Sequence, residues 1–146
     1  MTRKLAVIVA AAAIALVAAG CVTSDDTYNS MNGDRAAAGV SAVQHADDLT
    51  SIAQNWANHL RDANSFYHQD LGAVMAWLGL PYCAMGETLA KVPFDYTGAQ
   101  VEAIWMNSAA HRAIVLDGRY GYVGIGIASD AAQTTTWVVA DFGGGC

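Results

Sequence analysis

Basic residues are scarce in this chain. Seven Lys and Arg face thirteen Asp and Glu, a formal net charge of −6. Two of the seven, Arg3 and Lys4, stand at the extreme N-terminus; without them the balance is five basic against thirteen acidic, or −8. Such a surface repels nucleic acid, and no basic stripe with interleaved aromatics is present. Proline is limited to Pro81 and Pro93, and Glu87 and Glu102 are the only glutamates. Familiar catalytic signatures are missing as well: there is no G-x-S-x-G elbow, no H-E-x-x-H and no Gly-rich phosphate loop between a strand and a helix. The one long apolar run is 5–18, too short and too weakly flanked for a typical spanning helix. It inflates the 54% hydrophobic content, so the positive mean hydropathy does not make the rest a membrane protein.

That run, preceded by Arg3 and Lys4, has the layout of a signal peptide over 1–20. It ends in Ala18-Ala19-Gly20-Cys21, which resembles the lipobox of bacterial lipoproteins. The expectation is export with acylation of Cys21, a spacer over 21–26, and one domain over 27–146 held against a lipid bilayer. Val17-Ala18-Ala19 also suits ordinary cleavage, so a secreted form is the alternative. Three cysteines in an exported chain fit the same scheme. Lipidation of Cys21 leaves Cys83 and Cys146 to pair, closing a loop of about 60 residues worth roughly 4 kcal/mol in the chain-entropy model. About 125 residues after Cys21 suffice for a single core and not for two ordinary domains.

Periodicity predicts helices over 27–38, stopping at Gly39, and from Asp47 as N-cap, with Leu49, Ile52, Ala53, Trp56, Leu60 and Ala63 on one face. His59, at the edge of that stripe, reads as structural. The stretch 64–95 reads as irregular, with a short helix at 71–78. A further helix over 97–107 places Val101, Ile104, Trp105 and Ser108 together. A strand over 121–129 alternates Val123, Ile125 and Ile127 with Gly124 and Gly126, over which something packs closely. The β-branched stretch 134–142 pairs with it as a hairpin.

Four pieces fall in one order: Asn32-x-x-Arg35 with Gly39-Val40; Ala53-x-x-Trp56-Ala57 with His68; Gly86-Glu87; and Trp105-x-x-Ser108-x-x-His111-Arg112 ahead of the Gly-rich strand. Together they resemble the CAP superfamily, also called SCP-like, in its short bacterial form. The resemblance implies an α+β fold, a three-layer α-β-α sandwich with a small antiparallel sheet, and a cleft holding two His and two Glu that can take a divalent metal. Carried over, His68 and His111 match the two His, Glu87 matches the first Glu, and the second Glu falls on Ser108 at the cleft rim. Thr88 and Ala140 replace residues whose amides would help to fix the cleft.

Read without the family, His68, Glu87 and His111 suit zinc or another divalent ion with a position left for water. Alternatively they form an acid–base site, or a network in which Glu87 orients the two imidazoles. Ser108 reads as a turn cap, Arg112 as a surface partner for an Asp, and Glu102 as turned away from the cleft. The function expected is a non-enzymatic cell-envelope module that binds a small apolar ligand or an envelope component; Met75, Trp77 and Met85 in and beside the apolar stretch 71–80 either line a groove for it or are plain core. A metal-dependent hydrolase of peptide or envelope polymer is the alternative.

Overall fold

A computed structural model describes residues 21–146, so the expected signal segment over 1–20 lies outside the described residues. Helix α1 (Ser24–Ala37) starts inside the stretch expected to be a spacer, because the Thr23 hydroxyl accepts from the Asp26 amide and caps the helix there. Gly39 follows its end at φ +72°, a conformation that costs glycine nothing. A two-residue strand β1 (Gln44–His45) leads into α2 (Asp47–Asp62), whose N-cap is Ala46 and not Asp47. Two acidic residues in the first turn of α2 offset its unpaired amides. Helix α3 (Leu71–Leu78) is bounded by the Asp70 cap and by Gly79 at φ +61°.

The largest departure from the sequence reading is β2 (Ala84–Pro93), ten residues of strand where irregular chain was expected. Its composition hides it: Gly86, Glu87 and Lys91 interrupt the apolar pattern, and Pro93 is tolerated because it is the last residue of an edge strand. Helix α4 (Gly98–Asn107) opens with a reciprocal Thr97–Gln100 capping box. A separate helix α5 (Ala109–Val115), also unexpected, restarts at Ser108. Strands β3 (Tyr122–Ser129) and β4 (Thr135–Gly144) form the anticipated hairpin.

The sheet order is β1-β3-β4-β2; β1 runs parallel to β3 and the other pairs are antiparallel, so the sheet is mixed. Its two faces are covered by different helices, which gives an α-β-α sandwich. A Cβ on Gly124 or Gly126 would overlap the backbone of Leu49–Thr50 or Ala53–Gln54, so α2 lies directly on β3 at these two glycines. On the opposite face Val123, Ile125, Ala90 and Val92 pack with Met31, Val101 and Trp105 of α1 and α4. The bond between Cys83 and Cys146, with Cα atoms 5.1 Å apart, ties the end of β4 to the residue before β2. Among the described residues no helix is long and apolar enough to cross a membrane.

Helix α4 packs against both its neighbour α1 and the sheet, so its buried arc is wider than one stripe. Ile104, expected on the same side as Val101 and Trp105, is 40% exposed, whereas Glu102, which is turned away from the cleft as the sequence suggested, is buried (1% exposed). Neither Glu102 oxygen has a hydrogen-bond partner. Burial, assisted by the charge of Asp34, pushes its carboxyl up to about 8 from an ordinary 4.5. A carboxyl of this kind holds its proton better in the folded chain, so stability falls as pH rises from about 4.5 to about 8. Glu102→Gln should therefore raise stability by about 1–3 kcal/mol at pH 9 and change it little at pH 5, read from urea midpoints.

Candidate functional site

The cluster forms at the beginning of β2, where register sets three strands side by side. Glu87 is opposite Asp141 on β4, and Asp141 is opposite Gly124 on β3. The missing side chain at Gly124 admits α2, and the two carboxylates are buried beside it, Glu87 at 3% and Asp141 at 0% exposure. The connection between α2 and α3 then delivers His68 and Gln69. His68 Nδ1 lies 2.5 Å from Glu87 Oε1, which also accepts from the Gln69 backbone amide at 3.2 Å. The Gln69 side-chain Nε2 donates to Glu87 Oε2 at 2.8 Å and lies 3.0 and 2.8 Å from the two Asp141 oxygens. From the other side, α5 brings the His111 ring within 6.2 Å of the His68 ring, centroid to centroid.

Two of these residues were not identified from sequence. Asp141 is a lone acid within an apolar strand, and Gln69 adjoins a candidate histidine; the only available hint was Asp141 itself, since a charge within a buried strand needs a partner. Gln69 brings a side-chain amide to the two acids. Thr88 is buried with its hydroxyl unpaired, and Ala140 lies in the core.

Burial raises the Glu87 carboxyl above its ordinary range, against the opposing pull of hydrogen bonds from His68 and Gln69. Asp141 is raised further, by burial first and by Glu87 second, with only the Gln69 amide acting the other way. His111 is lowered, by burial and then by the neighbouring His68, and its Nδ1 is buried without a partner.

Ser108 ends α4 and caps α5, with its Oγ 3.5 Å from the His111 amide nitrogen. It supplies no carboxylate, and Glu102 faces α1. Arg112 donates to the Met106 carbonyl at 2.8 Å where an Asp partner was expected. Zinc takes three or four protein ligands at one centre. Here both Glu87 oxygens are engaged by His68 and Gln69, and among the described residues no group of three or more His, Cys, Asp or Glu is arranged to hold a metal. His68, Glu87 and His111 therefore do not fit a three-ligand ion in this arrangement.

Beside the cluster, α2 and α3 enclose a groove of about 260 Å³ lined by Asn55, Trp56, His59, Gln69, Val74 and Trp77. Its wall is organised by aromatic contacts: Trp56 stacks on His59 at 4.8 Å, and the Tyr67 hydroxyl lies 2.6 Å from His59 Nε2. Of the residues expected along a groove, Trp77 lines it, while Met85 packs beside the cluster of Leu49, Ile52 and Tyr82.

A single-domain α-β-α sandwich with a His/Glu cluster at the edge of its sheet is the architecture that the sequence motifs implied. Residues 28–142 match the cysteine-rich secretory protein family, CAP, and the chain belongs to that family. It is 30% identical over 100 residues, 65% of its length, to the uncharacterized protein YkwD of Bacillus subtilis (strain 168), and spans 38% of that relative. Among solved structures, an outer surface protein of Borrelia burgdorferi matches with a TM-score of 0.70 at 18% identity, covering 85% of this chain and 96% of that one. An extracellular protein containing an SCP domain from Bacillus anthracis str. Ames also gives 0.70 at 18% identity, over 82% of this chain and 39% of that one. These likenesses establish the fold.

The Gln69 amide is the only side-chain donor to Asp141 among the described hydrogen bonds. Gln69→Ala should cost about 2–4 kcal/mol, seen as a lower melting temperature, because it leaves a buried acid without a partner. A loss below about 0.5 kcal/mol would show that the two acids do not depend on it.

Proposed function

We propose that this chain is an exported envelope-binding module that recognises its target at the His68, Glu87 and His111 end of the sheet, and is not an enzyme. One observation carries this reading: the site's carboxylates are consumed internally. A general acid or base must exchange its proton with a substrate, yet Glu87 is held at both oxygens and Asp141 is enclosed. The position matching the family's second acid is a serine used as a helix cap. A metal-dependent hydrolase lacks a ligand set in this arrangement. What remains available to a partner is the half-exposed His68 imidazole, with side-chain exposure of 56%, and the adjoining groove.

Placement outside the cytoplasm is supported by the disulfide, which an oxidising compartment permits. The signal-like N-terminus and the family itself agree, as do relatives described as extracellular or outer surface proteins. Within this reading Cys21, exposed and unpaired immediately after that N-terminus, is the acylated residue that holds the domain at a bilayer.

Cys21→Ser should move the protein from the membrane fraction to the soluble fraction without lowering its melting temperature. An unaltered protein that is soluble and has no acyl mass on Cys21 would refute the anchor. The purified Cys21→Ser form, soluble on dilution, should sediment when isolated envelopes are added back in excess, and adding His68→Ala should weaken that retention by about tenfold, or roughly 1.4 kcal/mol. Release of envelope fragments that disappears in Glu87→Gln would instead establish catalysis.

A further inference from the structure

Helix α3 is apolar along its whole length, yet none of its residues is buried. Trp77 is 84% exposed, and the surrounding segment 71–86 carries no charged side chain in a strongly acidic domain. The groove beneath Trp77 is lined by no Asp, Glu, Lys or Arg, with planar rings on its walls, His59 among them, and the amides of Asn55 and Gln69 between them. The Gln69 amide is held in orientation: its Nε2 hydrogens are taken by Glu87 and Asp141, which leaves the carbonyl oxygen as the group free to accept a hydrogen bond.

We propose that this groove binds a neutral sugar ring of an envelope polysaccharide, stacked on the Trp77 indole and donating a hydroxyl to the Gln69 carbonyl. The inference deepens the envelope-binding reading and rests on it. Indole faces carry partial negative charge that attracts the polarised C–H face of a sugar. Planar amides beside them match neighbouring hydroxyls, and the absence of Asp, Glu, Lys and Arg matches a neutral ligand. At about 260 Å³ the groove is below the usual range for a drug-sized ligand, and it is open, whereas an acyl chain needs a longer enclosed channel. An extended peptide would pair with the free edge of β2; the groove lies between two helices, whose backbone groups are already bonded.

The test titrates the Cys21→Ser protein with linear trisaccharides of N-acetylglucosamine, glucose and mannose, following amide and indole NMR shifts. At least one should saturate with a Kd of about 0.1–1 mM and shift the Trp77 indole. Trp77→Ala should weaken that binding at least tenfold, and Trp77→Phe by only about threefold; at such exposure neither change should affect folding. Palmitate and an aromatic tripeptide are the competing probes. Saturable binding of either at Trp77 in place of the sugars, no saturation by all three trisaccharides, or unchanged affinity in Trp77→Ala would overturn the inference. Envelope sedimentation that persists without trisaccharide binding refutes the sugar groove alone, whereas failure of the unsubstituted groove form to sediment at all refutes the envelope-binding reading.

Discussion

The structure depends on the guanidinium of Arg35. It is fully buried near the end of α1 and donates to four backbone carbonyls: Ser41 through Nε at 2.8 Å, Val115 and Asp117 through Nη1 at 2.6 and 3.1 Å, and Tyr120 through Nη2 at 2.9 Å. Those carbonyls belong to the turn after α1, the end of α5 and the approach to β3. One planar side chain thus joins three connections at a single point, using the rigid fork that distinguishes Arg from Lys. Burial lowers its pKa and Asp117 partly restores it. Asn32, three residues earlier, exchanges two hydrogen bonds with the Val43 backbone and aligns the chain that enters β1. The Asn-x-x-Arg spacing is therefore a device for loop closure, and its contribution to the site is indirect: it places α5, and with it His111.

Elements whose pattern is set by their own packing were legible in the sequence. The stripe on α2 and the two glycines of β3 could be read because they fit one another, one helix lying against two missing side chains. Strand β2 could not. Its pattern reflects an edge position and a buried carboxylate, so neither alternation nor β-branching signals it, and its pairing is dictated by β4, more than forty residues further along the chain. The same explanation covers Glu102 and Ile104, because a helix covered on two sides does not follow a single-face rule. At the site, His68, Glu87 and His111 were legible through motif order. Asp141 and Gln69 were not, because their roles arise from strand register and a loop excursion that leave no local spacing.

The cluster differs from an open polar cleft in how it balances its charges. Two acids share one neutral amide, and among the described residues no lysine or arginine pairs with them. The two histidines are distinguished by their surroundings, His68 partnered and half-exposed, His111 partly buried with one nitrogen unpaired. Such a site is closed at its base, where both acids are buried, and open at its rim, where the His68 ring is half-exposed.

The start of α1 has a consequence for orientation. Only Val22 separates Cys21 from the Thr23 cap, and Val22 is itself buried in the core. The first turn of α1 lies against the start of α4, where Gly98 touches Thr27 and the Ala99 amide meets Asp26. That is the Pro93 end of β2, and Glu87 stands six residues back along the strand, roughly 20 Å away at the rise of an extended chain. An acyl group on Cys21 would therefore moor the domain by a short stiff stem with almost no swing, its acidic foot toward the headgroups and its histidines facing outward. The reach of the site would be set by the length of one strand, so only targets that come within a few nanometres of the bilayer surface would meet it.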